Sequence, residues 1–175
     1  MRYDFYVTVW DDHFINKFIE FSLATQITSG NLAALAEASD IHYHIYTARE
    51  SHEYFKKRIA ILEKYTKVHF YFFDDIPFSN GTLEQTIESG DPALIKHNVG
   101  RVTVQHLLSS LPKNSAVVIL DGDLIIADGT FARMHDLRMQ GKRAVMTLLM
   151  RLNEKTAAPV LRQNLEAHLQ PRNLV

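Results

Sequence analysis

Apolar and polar positions along this chain follow either a helical or a strand period, and one stretch fits neither. Ala116, Val117, Val118, Ile119 and Leu120 succeed one another without a polar interruption and stop at Asp121-Gly122-Asp123. A strand lacking in-and-out alternation suits the interior of a parallel sheet covered on both faces. Ligands of open α/β sheets gather beyond the carboxyl ends of such strands. The two acids therefore fall where a ligand is expected.

Strand-like and helix-like segments alternate through the rest of the chain. Residues 3–10 are rich in aromatic and β-branched side chains and predict a first strand ending at Asp11-Asp12. Phe14, Ile15, Phe18, Ile19, Leu23 and Ile27 recur at helical spacing, with Gly30 as the stop, and residues 32–38 predict a short second helix. In residues 41–47, Ile41, Tyr43 and Ile45 alternate with His42, His44 and Tyr46 as a second strand. Ser51 stands as the cap of a helix carrying Phe55, Ile59 and Leu62, and residues 67–73 form a third strand ending at Asp74-Asp75.

Residues 76–90, with Pro77 and Asn80-Gly81, read as a loop holding at most one helical turn around Leu83 to Ile87. Asp91-Pro92 then pairs a capping acid with a proline at the first helical position, starting a helix that runs to about Leu111. Gly100 inside it costs ~1 kcal/mol relative to alanine, which implies close packing against the sheet or approach of a ligand. Asp128 stands as the cap of a helix over residues 130–140, closed by Gly141. Residues 144–150 predict a further strand, and Leu161, Leu165 and Leu169 a helix over residues 154–169. This succession predicts the α/β class, a Rossmann-like, mainly parallel sheet flanked by helices.

Composition narrows the classes without pointing to one. A chain of 175 residues supports one domain, 1–175, with one buried core. A net charge of -1 leaves no electrostatic footprint for nucleic acid, and no apolar run is long enough to span a membrane. The absence of cysteine excludes a disulfide scaffold and Cys-ligated zinc or iron–sulfur sites. The opening residues lack the charged-then-apolar pattern of a secretory signal, so a cytoplasmic location is the default expectation.

Asp121 and Asp123 lie two positions apart, so a continuing strand would send both side chains to one side. Adjacent carboxylates repel unless a cation separates them, and a divalent ion with a preference for oxygen is suited to that place. The competing reading is a polar turn after a core strand, because Asp and Gly favour turns in any case. Asp11, Asp12, Asp74 and Asp75 fall at other strand ends, where parallel strands share an edge. Lys96, His97 and Arg101 lie close together on one helix and can project from nearby faces toward phosphate oxygens. His42 and His44 share a strand face, but two imidazoles without a third ligand read more readily as surface or packed histidines than as a metal site. The phosphate-loop, dinucleotide and hydrolase-elbow motifs are all missing.

The strand Phe5 to Trp10, the segment His97 to Leu111 and above all Leu120-Asp121-Gly122-Asp123-Leu124-Ile125-Ile126-Ala127-Asp128-Gly129 resemble the nucleotide-sugar glycosyltransferases of GT-A fold. The resemblance covers most of residues 3–150, with the D-x-D region its specific part. It implies that Asp123 binds Mn²⁺ or Mg²⁺ across a donor diphosphate and that Asp121 contacts the metal or the ribose. It places Val9 and Trp10 by the base or ribose and Arg101 on the sugar or phosphate side; Asp75, from its strand end, and Lys96 and His97, from their helix, stand as further candidate donor contacts. The implied partners are a nucleotide-sugar donor and a glycan, lipid or protein acceptor. Family members build the acceptor site from a later part of the domain, so this chain reads as a donor-binding N-terminal part or a shortened copy. Two other readings stand beside it. A haloacid dehalogenase-like phosphatase also places two aspartates two apart after an apolar strand, although there D-x-D-G-T is expected and Leu124 follows Asp123 here. The other is a non-catalytic nucleotide-sugar-binding or interaction module.

Overall fold

The computed structural model describes residues 1–78, 85, 92–147 and 152–168. Four strands form one sheet: β1 (Arg2–Thr8), β2 (Asp40–Thr47), β3 (Lys67–Phe72) and β4 (Ala116–Asp121), in the order β3-β2-β1-β4. All three pairings are parallel. Parallel neighbours cannot be joined by a hairpin, so each connection must cross the sheet, and helices do this. Among the described residues α1 occupies 12–26, widened by a π turn at Phe18–Leu23, and α2 occupies 29–38, kinked near its start at Asn31, whose φ of -110° and ψ of -114° are not helical. They are followed by α3 (His52–Lys56), α4 (Pro92–Ser110), α5 (Thr130–Met139) and α6 (Glu154–His168). The chain is thus α/β with a Rossmann-like, all-parallel sheet flanked by helices.

Strand alternation decides what each helix covers. Tyr3, Phe5 and Val7 of β1 join Ile41, Tyr43, Ile45 and Leu120 in a core closed by Ile15 and Phe18 of α1, Leu32 and Leu35 of α2, Phe55 of α3 and Phe131 of α5. The opposite side chains, Tyr6 and Tyr46, meet Val99 and Leu107 of α4 together with Phe73, Ile76 and Phe78. Each such side chain contributes about 1.5–3 kcal/mol on burial, which is set against the conformational entropy lost on ordering it.

Several expected features differ in detail. β4 was expected in the sheet interior, but among the described residues it is an edge: only Leu120 is buried and Ile119 is 60 % exposed. An unbroken apolar run fixes the strand, not its place in the order. Ser51 makes no capping hydrogen bond, and the helix expected to carry Phe55, Ile59 and Leu62 is broken into α3 and a 3₁₀ turn, Leu62–Lys64. Residues 144–147 form no strand, and 148–150 lie outside the described residues. The expected loop and helical turn over 79–90, apart from residue 85, also lie outside them, as do Asp91 and residues 169–175. α4 is described from Pro92 onward, and the closure of α5 agrees with expectation. Gly141, at φ 84°, bonds back to the Arg138 carbonyl, and Lys142 to that of Leu137. This is the paired return bonding that a left-handed residue after a helix makes possible.

Two glycines carry opposite meanings. A Cβ on Gly30 would sit 2.6 Å from the backbone nitrogen of Gly129 and 2.7 Å from Asp128 Oδ1, so Gly30 is a contact point between α2 and the loop after β4 rather than the stop of α1. A Cβ on Gly100 meets nothing within 4 Å, which removes the close-packing explanation for that residue. Gly30→Ala is therefore expected to lower unfolding free energy by about 1–3 kcal/mol, the usual cost of overpacking. Gly100→Ala is expected to raise it by up to ~1 kcal/mol. Urea midpoints of the two variants, measured side by side, check both signs.

Candidate functional site at the carboxyl edge of the sheet

The chain moves outward from β1 to β2 to β3 and then returns to place β4 on the other side of β1. The strand order reverses between β1 and β4, and crevices of open α/β sheets lie at such a reversal. The register sets Thr8 opposite Asp121 at this point. Both strands end here, and the chain continues into the loops beyond them.

Beyond β1, the Val9 amide donates to the Tyr46 carbonyl at 3.0 Å, which carries the chain across the end of β2. Val9 is buried in the first core, and the half-buried Trp10 stands edge-on over Phe73, with ring centroids 5.4 Å apart. Asp11 follows at φ 68°, ψ 134°, and its Oδ1 accepts the His13 amide at 2.8 Å, capping α1. A non-glycine residue held there stores about 1–3 kcal/mol of backbone strain, a condition concentrated at ligand sites.

Beyond β4, the Leu124 amide bonds back to the Asp121 carbonyl at 3.3 Å, so Asp121 to Leu124 is a tight turn. The extended conformation expected to align Asp121 with Asp123 ends at Asp121, where the turn begins. Both acids are exposed. Gly122 is demanded by packing, because a Cβ there would overlap Cγ2 of Val9. The acidic turn and the Val9-Trp10 segment are thus in direct contact.

The path after the turn is fixed by polar groups of the α1–α2 corner. Asn31 is fully buried; its Nδ2 donates to the carbonyls of Thr25 at 2.8 Å and Ala127 at 3.2 Å, and its Oδ1 accepts the Phe131 amide at 3.0 Å. Thr25 Oγ1 accepts the Ile126 amide, and Asp128 Oδ1 accepts the Gly30 amide at 2.8 Å. Asp128 was expected to cap α5, but Gly129, at φ 82°, holds that position without a side-chain bond. The carboxylate reaches across the loop instead.

On the other face, a buried hydroxyl chain leads to the same edge. Thr103 of α4 lies 2.5 Å from the Tyr6 hydroxyl, which is bonded in turn to Thr8, the residue opposite Asp121. Burial raises the Tyr6 hydroxyl's pKa, more than its hydrogen bonds lower it. It therefore stays protonated and bridges α4 to β1.

The remaining expected donor contacts are spread more widely. Arg101 is exposed, with Nη1 3.4 Å from Gln105 Oε1, and lines a groove of about 430 Å³ with Ile76, Pro77, Phe78 and His106. His97 is exposed on the preceding turn, and the side chain of Lys96 lies outside the described residues. Asp75 pairs with Arg49 at 2.6 Å beyond β3. Three strand spacings of about 4.8 Å separate β3 from β4, so Asp75 stands well away from Asp121. Among the described residues no three His, Asp or Glu side chains converge to hold a metal.

His42 and His44 are packed side chains. His42 Nε2 faces Asp40 at 3.1 Å and its Nδ1 faces His69, so Asp40 and His69 engage opposite nitrogens and do not share a point. His44 is likewise held between Asp4 and Tyr71.

Comparison with protein-family models, curated proteins and solved structures finds no match to this chain. The site therefore rests on its own geometry. Asn31 is its most testable support, because truncation strands a buried amide and carbonyls that cost about 1–3 kcal/mol each when unpaired. Asn31→Ala is expected to destabilise the fold by about 3 kcal/mol and to speed amide exchange first in residues 124–131. Hydrogen exchange resolved by residue checks the order as well as the size of the loss.

Proposed function

We propose that the crevice between the ends of β1 and β4 binds a nucleotide-sugar donor, as the donor-binding part of a metal-dependent glycosyltransferase. The observation that carries this reading is the contact of Gly122 with Val9, which sets an exposed pair of carboxylates against an aromatic and apolar segment. Trp10 offers a ring face of the kind a nucleobase stacks on, anchored from below by Phe73. Asp121 and Asp123 supply hard anionic oxygens on an open turn, which suits Mn²⁺ or Mg²⁺ with diphosphate and water completing the shell. When bound, such an ion neutralises charge on a departing nucleoside diphosphate. The chain's own groups position this centre: Tyr6 and Thr8 brace β1 opposite Asp121, and Asn31 fixes the exit of the acidic turn.

Calorimetry with UDP and GDP, each with and without Mn²⁺, tests the proposal. Binding is expected only with the metal, and Asp123→Asn is expected to weaken it at least tenfold, about 1.4 kcal/mol. Equal binding without metal sinks the reading. Turnover of p-nitrophenyl phosphate that Asp121→Asn abolishes would support the phosphatase alternative instead.

A further inference from the structure

A second titratable cluster lies on the α4 face of the sheet, toward the amino ends of the strands and away from the acidic turn. Three imidazoles are grouped there, with centroids of His42 and His69 5.1 Å apart, His44 and His69 5.0 Å, and His42 and His44 6.3 Å. His42 Nδ1 and His69 Nε2 are 2.9 Å apart and their planes differ by 3°. That centroid separation is close to the nitrogen–nitrogen distance plus two ring radii, so the rings lie end to end and a single proton occupies the gap.

Carboxylates fix the tautomers. Asp4 Oδ1 is 2.9 Å from His44 Nε2, and Asp40 Oδ2 is 3.1 Å from His42 Nε2, so both Nε2 atoms donate. Each Nδ1 is then an acceptor, for Tyr71 O–H at 3.3 Å from His44 and for His69 Nε2–H at 2.9 Å from His42. Two parallel chains result, Asp4–His44–Tyr71 and Asp40–His42–His69. Both run from an interior strand to β3, the edge strand.

Charge around the cluster is already balanced. β1 contributes Arg2 and Asp4, paired at 2.7 Å; β2 contributes Asp40 and β3 Lys67, paired at 2.8 Å. His106 of α4 faces the Tyr46 hydroxyl at 2.9 Å and the Tyr71 ring edge-on. Two cations and two anions cancel while the imidazoles are neutral, and every proton added to them is excess positive charge. One extra proton can be taken up at His69 Nδ1, leaving the proton already in the gap shared between the two rings. A second sets two N–H groups against each other across 2.9 Å.

We propose that these two chains form an acid-sensitive clasp holding β3 onto β2, so that proton uptake by His44 and His69 releases the sheet edge. Burial, opposed by Asp4, lowers the affinity of His44 for a proton, and burial with the charge of its neighbours does the same for His69. Their pKa values in the clasped state lie below the ordinary imidazole value of about 6.5. The released state binds protons more readily, so the clasp is intact above about pH 6.5 and weakens as pH falls below it. The consequence reaches the far end of β3, because Phe73 directly after it supports Trp10, the single tryptophan of the chain.

Hydrogen exchange of the full chain at about pH 7.5 and about pH 5, corrected for intrinsic rates, reads the clasp directly. Protection in the β2–β3 ladder is expected to fall at least tenfold more than in the β1–β4 ladder, with a shift of Trp10 emission over the same range. His69→Gln, whose amide still donates to His42 Nδ1 but takes up no proton, is expected to remove most of that difference. Equal loss of protection in both ladders overturns the proposal, as does an unchanged acid response in His69→Gln. Should that variant not fold, NMR titration of the imidazoles in the unaltered protein decides. Coupled proton uptake by His44 and His69 below the ordinary range supports the clasp, and independent titration of these two at the ordinary value refutes it.

Discussion

Parallel pairing on both sides of β1 is the constraint from which the rest of this molecule follows. A strand with parallel neighbours left and right cannot reach either by a turn, so chain must pass over both sheet faces before β2 and β4 can take their places. Those passages become the helices, and their apolar stripes meet the two faces of β1: Phe5 and Val7 under α1 and α5, Tyr6 under α4. The same constraint brings residues 8 and 121 into register, more than a hundred positions apart in sequence. No local preference would bring the Val9-Trp10 segment against the acidic turn.

Polar groups then do what apolar packing cannot, which is to fix loops at particular points. Burying an amide side chain as deeply as Asn31 is unfavourable unless its donors and acceptor are all engaged. Here they are engaged by groups from α1, from the last part of the loop after β4 and from the first turn of α5. With Thr25 bonded to Ile126 and Asp128 to Gly30, three side-chain contacts define the exit of the turn that carries Asp121 and Asp123. The positions of the two acids are thus set from behind, by residues that touch neither of them.

The sheet's strands were legible because they depend on local pattern: β-branched and aromatic runs, alternation in β2, and the uninterrupted residues 116–120. What was not legible depends on tertiary placement. An apolar run reads alike at a sheet interior and at its edge, which is why β4 was misplaced. Asp128 before a helix reads as its cap, and only the arrival of Gly30 beside it shows another use. Thr28-Ser29-Gly30-Asn31 reads as a turn, and nothing in those letters says that Asn31 is interior. Gly100 invited a packing explanation that the open space around it removes.

The histidines of β2 show how a polar pattern can mislead in the other direction. Alternating His42, His44 and Tyr46 with Ile41, Tyr43 and Ile45 suggests one wet face and one dry, yet both faces of β2 are buried. Burial is tolerable because each imidazole nitrogen of His42 and His44 meets a partner of complementary hydrogen-bonding sense, supplied by the strands on either side and by Asp40. Asp4, at the centre of this arrangement, is pushed up by burial but held down to about 2 by hydrogen bonds from Arg2 and His44. It therefore remains an acceptor across the range in which histidines titrate. A fixed anion beside titratable neighbours makes the imidazoles, rather than the carboxylate, the variable part of the network, and one of them, His69, lies on the strand whose end supports Trp10.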